Sequence, residues 1–274
     1  MDRGAILTPG LRLATTRLAT GPRLHYAERG DPAGPAILFV HGWPDSWFSF
    51  SRVLPLLPER HRAFAVDQRG FGESERPDRG YGIDDLAADA VAFLDAVGVE
   101  RATLVGHSMG TFVARRVAVA RPERVARLAL VDSAVSPVNP VMRDVQATVR
   151  DLAEPVPIAF AREFQAGTAH VPLPAEFFER IVAESVKAPA RVWREVFDGL
   201  LAFDDAGQLG GIAAPTLLLW GERDALFPSR DEQHRLAALI PNARLEIYRD
   251  TGHCPNWERP ERVAADLDAF IRAT

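Results

Sequence analysis

The chain has 274 residues, 47% of them hydrophobic, and a net charge of −5, which is enough apolar material for one elaborated α/β domain or a domain carrying an insertion. It lacks the basic excess that phosphate-backbone binding requires, which argues against nucleic acid as a partner. Its one cysteine, Cys254, excludes an internal disulfide and a cysteine-based metal framework and suits a reducing compartment.

Met1–Pro9 has no apolar core of signal-peptide length, and no later run reaches the length of a bilayer span, so a cytoplasmic location is expected. Between Leu11 and Arg29, loosely alternating apolar residues broken at Gly21-Pro22 predict two antiparallel edge strands. The continuously apolar runs Ala36–Val40, Ala63–Val66, Thr103–Val105 and Leu128–Val131 predict strands covered on both faces. They alternate with helical stretches at 84–97 and 109–120, the order of a parallel, doubly wound sheet. Within 84–97, Leu86, Ala90, Phe93, Leu94 and Val97 form the sheet-facing stripe, with Asp85 and Asp89 on another face.

The strand pattern then stops for roughly 80 residues, against about 4 to 6 for an ordinary loop. Helical periodicity at 141–152, 158–164, 176–186 and 191–203, punctuated by prolines, predicts a mostly helical cap. A strand at Leu217, a helix at 229–239, a strand at 244–248 and a helix at 261–271 restore the alternation. The expected fold class is α/β, a mostly parallel doubly wound sheet with a helical cap inserted between strands 6 and 7. The core spans 1–132 and 213–274, and the cap 133–212.

Ser108 lies in Gly106-His107-Ser108-Met109-Gly110, between an apolar strand and a helix, the setting of a nucleophile elbow. There the hydroxyl stands at a helix N-terminus, where developing negative charge is favoured. A serine hydroxyl is a weak nucleophile, so it needs a base within reach and a third group to orient that base. Asp224, in Trp220-Gly221-Glu222-Arg223-Asp224, and His253, in Asp250-Thr251-Gly252-His253, each follow a predicted strand, where such sheets build their sites.

The order Ser108, Asp224, His253 resembles that of the α/β-hydrolases, over nearly the whole chain. The resemblance implies Ser108 as nucleophile, His253 as general base and then acid, and Asp224 as the acid that fixes the imidazole. Asp132, directly after the Leu128–Val131 strand, is the alternative acid, although capping the first cap helix or binding loop amides is its favoured reading. Glu222 is a lesser candidate. His41-Gly42-Trp43-Pro44-Asp45-Ser46 resembles the oxyanion loop of cap-bearing members, epoxide hydrolases especially, which implies an oxyanion hole made by the backbone N–H groups of Trp43 and Met109. Epoxide hydrolases and haloalkane dehalogenases carry an aspartate nucleophile, whereas a serine alkyl ether would resist hydrolysis, so Ser108 favours acyl chemistry.

Asp67-Gln68-Arg69-Gly70-Phe71-Gly72 is read as loop scaffolding, His41 and His107 as supports, and Cys254 as a packed thiol. The cap aromatics Phe160, Phe164, Phe177, Phe178, Trp193, Phe197 and Phe203 are read first as cap core; one or two of them, with Trp43, Trp47 and Phe48 near the opposite wall, suggest a small apolar substrate with an acyl chain or ring. The expected activity is hydrolysis of a carboxylic ester or lactone through an acyl-enzyme, with no cofactor or metal and no implied oligomeric state. Alternatives are a C–C bond hydrolase, a perhydrolase or haloperoxidase-like relative, and, in another class, a triad-retaining ligand receptor.

Overall fold

The computed structural model describes residues 10–273; Met1–Pro9, on which the signal-peptide expectation rests, lies outside them. Strands β1 (Arg12–Arg17) and β2 (Arg23–Gly30) pair antiparallel around the Gly21-Pro22 turn. The six strands β3 (Ala36–Val40), β4 (Arg62–Val66), β5 (Ala102–His107), β6 (Val125–Val131), β7 (Thr216–Gly221) and β8 (Ala243–Tyr248) run parallel to one another. Across the sheet the order is β1-β2-β4-β3-β5-β6-β7-β8.

The helices are α1 (Ile83–Ala96), α2 (Met109–Ala120), α3 (Pro140–Arg150), α4 (Ile158–Thr168), α5 (Ala175–Ser185), α6 (Ala190–Leu201), α7 (Arg230–Leu239), the single turn α8 (Pro255–Glu258) and α9 (Pro260–Arg272). None is long and apolar enough to cross a membrane. The apolar strand runs arise because both sheet faces are covered. In β3, Leu38 and Val40 enter the cluster beneath α1 and α2, whereas Ile37 and Phe39 enter the one closed by Leu267 and Phe270 of α9. One side chain departs from its expected face: Asp89 is buried, because both its oxygens accept from Arg69, at 2.6 Å each.

Helices α3 to α6 form the insertion between β6 and β7, inside the expected 133–212. The apolar stripe of α6, Val192, Trp193, Val196, Phe197 and Leu200, is buried along its length. Trp193 and Phe197 pack on Trp43, with ring centroids 4.9 and 4.6 Å away. Each such aromatic contributes about 2 to 3 kcal/mol through burial, so the cap closes on the loop after β3 by apolar contact. Trp47 and Phe48 do not reach the wall expected of them. Trp47 is buried in the cluster under α9, and Phe48 stacks on Phe177 of the cap at 5.5 Å.

Candidate active site

Ser108 sits between β5 and α2 with φ 52° and ψ −120°, a left-handed backbone that costs a non-glycine residue on the order of 1 to 3 kcal/mol. The surroundings enforce it. Ser108 N–H donates to the Val131 carbonyl at 2.9 Å, and the Ser108 carbonyl accepts from the Thr111 amide at 2.8 Å. A Cβ on Gly106 would stand 2.3 Å from the Gly110 carbonyl oxygen, and one on Gly110 would stand 2.1 Å from the Val40 carbonyl oxygen. The two glycines therefore let α2 ride directly on the ends of β5 and β3. Gly110→Ala is expected to destabilise the fold by about 3 kcal/mol, because the clash is with backbone that has no rotamer to change. Urea unfolding checks this, and an unchanged midpoint would mean that β3 and α2 are not in contact.

The loop after β3 is held from below. His41 Nδ1 donates to the Gly42 carbonyl at 2.7 Å, its Nε2 accepts from the Gln68 amide at 3.0 Å, and the Gln68 side chain donates to the His41 carbonyl at 2.8 Å. Asp67 accepts from the Trp47 and Glu73 amides, at 2.7 and 3.0 Å, as a scaffold residue should. The Trp43 amide is left with no acceptor among the described residues. Met109 opens α2, where its N–H has no carbonyl a turn behind it. The two amides expected to form an oxyanion hole thus both lack acceptors beside Ser108.

From the opposite side, His253 Nδ1 meets Asp224 Oδ2 at 2.9 Å, both groups buried. Asp224 Oδ1 accepts from the Leu226 and Phe227 amides, at 2.7 and 3.0 Å. Burial opposes its charge, but His253 and these amides outweigh that cost and keep its carboxyl below the usual carboxylate range. His253 Nε2 is buried and has no partner among the described residues, so Ser108 does not hydrogen-bond it in this geometry. His107, the residue before Ser108, places its ring centroid 5.2 Å from that of His253 and donates from Nε2 to the His253 carbonyl at 2.9 Å. Burial, then the neighbouring imidazole, pushes His107 down to about 3, which leaves it a neutral support.

The other two acids are elsewhere engaged. Glu222 pairs with Arg230. Asp132 does not cap the first cap helix; Asn139 does, accepting from the Met142 amide at 2.9 Å. Asp132 instead accepts from the Gly221 amide at 2.9 Å, and its carboxylate, that of Asp224 and His253 each bring an atom within 4.8 Å of the others. These are the donors closest to a metal-ligand set, but His253 Nδ1 is already committed to Asp224, so the cluster fits an imidazole with its acids better than an open cation site.

A profile of the alpha/beta hydrolase fold matches residues 35–260. The chain belongs to the α/β-hydrolase family. It is 30% identical to a non-heme chloroperoxidase of Streptomyces lividans, over 95% of this chain and 100% of that protein. It is also 30% identical to haloalkane dehalogenase 2 of Mycobacterium tuberculosis, over 89% of this chain and 90% of the other. Among solved structures, a candidate aryl esterase from Burkholderia cenocepacia matches with a TM-score of 0.83 at 29% identity, covering 95% of this chain and 98% of that one.

In this α/β-hydrolase the cap is bolted to the site by residues that sequence reasoning missed. The His253 amide donates to the carbonyl of Thr168, the last residue of α4, at 2.8 Å. Glu258 gathers the amides of Gly252, His170 and Val171, at 2.9, 3.2 and 3.0 Å. Asp45 accepts from Ser49 and from Gln165 of α4, both at 3.0 Å. Burial is the main cause that pushes Asp45 up to about 7. Asp45 stood in the oxyanion-loop motif, so it was visible; Gln165 and Glu258 carried no local signal. Cys254 is buried, as a packed thiol should be, against Thr168 Oγ1 at 3.4 Å.

Between α3 and α4 the hydrolase has a groove of about 380 Å³ lined by Val141, Val145, Phe160, Phe164, Thr168 and Leu226 among others. Its inner wall adjoins the site on three sides. Phe164 meets Trp43 ring to ring at 5.1 Å, Thr168 holds the His253 amide, and the Leu226 amide binds Asp224. A groove of the same volume between α1 and α2 is lined by none of these residues.

Proposed function

We propose that this hydrolase is a serine acyl-transfer enzyme acting on small apolar carboxylic esters or lactones. The reading is carried by Ser108, held in a left-handed turn beside two amides that lack acceptors. His253 Nε2 takes the hydroxyl proton as Oγ attacks the carbonyl, and Asp224 stabilises the imidazolium. The Trp43 and Met109 amides receive the oxyanion, a contact worth about 3 to 4 kcal/mol per donor. The C–O bond then breaks, the alcohol leaves with the proton from His253, and an acyl-Ser108 ester remains. Because Ser108 and His253 Nε2 are not hydrogen-bonded at rest, substrate entry must bring them together, as is common for catalytic pairs before the Michaelis complex.

The acceptor that discharges the acyl-enzyme separates two readings. Water gives simple hydrolysis. Hydrogen peroxide, deprotonated by the same imidazole, gives a peracid, which oxidises halide and returns the carboxylic acid. The name of the Streptomyces lividans relative favours this perhydrolase alternative over plain hydrolysis. Alkyl-enzyme chemistry of the dehalogenase kind is not proposed, since the residue read as the nucleophile is a serine, whose alkyl ether would resist hydrolysis.

A p-nitrophenyl ester series with and without hydrogen peroxide, paired with fluorophosphonate labelling, tests both parts. Expected are stoichiometric labelling of Ser108 and ester turnover. Bromide oxidation should require both acyl donor and peroxide. Failure of the label to reach Ser108 would overturn the serine mechanism. Turnover without peroxide-dependent bromide oxidation would leave hydrolysis as the activity. Tight ligand binding with no turnover at all would instead favour the receptor class.

A further inference from the structure

Asp132 is a buried acid that the mechanism above does not use. It follows β6 in a left-handed turn at φ 51°, its amide donating to the Leu219 carbonyl at 2.8 Å. Its Oδ1 accepts from the Gly221 amide at 2.9 Å, while Oδ2 is buried with no N–H or O–H donor among the described residues. Asp224, which brings a carboxylate oxygen within 4.8 Å of one on Asp132, is the opposite case: three donors converge on its two oxygens. The titratable groups around Asp132 are Asp224 from the loop after β7, His253 and Cys254 from the loop after β8, and Glu258 from α8. His253 is the one potential cation among them. Two buried carboxylates this near each other do not both stay ionised against a single imidazole, and the donor-rich one keeps the charge.

We propose that Asp132 is held as a neutral carboxylic acid whose proton is donated to the Asp224 carboxylate, making Asp132 a positioning residue for the acid that supports His253. This rests on the reading of Asp224 and His253 as the pair that activates Ser108. Burial first, and the Asp224 charge second, push the Asp132 carboxyl well above the usual range, in keeping with that geometry. The bond fixes the Asp224 carboxylate between Asp132 and the two loop amides and draws off part of its charge. It therefore restrains how strongly Asp224 holds the protonated imidazole.

Asp132→Asn reproduces the proposed state, since its carbonyl accepts from Gly221 and its amide donates to Asp224. The folded wild type keeps a proton that the unfolded chain releases above pH of about 4, so this group makes stability fall as pH rises. The asparagine variant has no such slope. The melting temperature of D132N minus that of wild type is expected to climb between pH of about 5 and 8. Asp132→Ala removes the donor, strengthens the hold of Asp224 on the imidazolium, and is expected to move the acid limb of kcat/KM up by about one pH unit.

A melting difference that is flat across this range would overturn the proposal, since it would mean that Asp132 is ionised in the fold. So would a folded D132N that loses more than about 100-fold in kcat/KM. Should D132N not fold, the infrared difference between wild type and Asp132→Ala at pH of about 8.5 decides: a protonated-carboxyl band lost in the variant is expected, and its absence from wild type overturns the proposal. Full activity in Ser108→Ala would sink the serine reading instead while leaving the melting and infrared results intact.

Discussion

Ser108→Ala is expected to lower kcat for a p-nitrophenyl ester on the order of 10⁶-fold, with the fold intact, and His253→Ala by a similar amount. The two losses should not add, because in the proposed mechanism the hydroxyl and the imidazole serve one proton transfer: the double variant should be about as slow as either single one. A second readout comes from the backbone. Alanine keeps the strain of the left-handed turn at φ 52°, but glycine does not. Ser108→Gly should therefore be more stable than Ser108→Ala by about 1 kcal/mol while equally inactive. Steady-state kinetics and thermal melts of the three variants test this together, and more than one per cent of wild-type kcat in Ser108→Ala would remove Ser108 from the mechanism.

Asp205→Ala is expected to destabilise the protein by about 3 to 5 kcal/mol, through an ion pair away from the chemistry. Arg115 of α2 is fully buried, and its guanidinium donates to Asp205 at 2.5 and 3.1 Å and to the Ala134 carbonyl at 2.5 Å. Burial works against both charges, pushing Arg115 down and Asp205 up, so each is tolerated because the other is present. Removing the aspartate alone leaves a buried cation hydrogen-bonded only to backbone carbonyls, with no charge to offset it in that pair, and the melting temperature should drop by roughly 10 °C. Arg115→Met with Asp205→Leu removes both charges and should recover most of the loss. If Asp205→Ala melts within about two degrees of wild type, the pair does not hold α2 to the end of the cap insertion.

Periodicity and turn residues revealed the sheet, its flanking helices and the four cap helices, because each rests on contacts repeated every two or three to four residues. The elbow was equally legible. Gly106 and Gly110 are required by backbone contacts with the strand-to-helix turn itself and with β3, and such requirements mark the sequence. What stayed hidden depends on distant pairs. The burial of Asp89 needs Arg69, and the Asp45 environment needs Gln165, 120 positions away. Of the two roles expected of Asp132, the amide contact is present at Gly221, whereas the helix cap falls to Asn139, which stands next to the helix. The approach of Asp132 to Asp224 joins the ends of two neighbouring strands and leaves no spacing to detect.

The bond from the His253 amide to the Thr168 carbonyl has a bearing on how such proteins are re-engineered. Grafting a foreign α4 to reshape the groove would also replace the mounting of the imidazole. Libraries confined to the α3 wall of the groove, at positions such as Val141 and Val145, avoid this. On the proposed acyl-transfer reading, exchanges there should change substrate preference at little cost in turnover, whereas exchanges around Gln165 to Thr168 should alter rate and preference together.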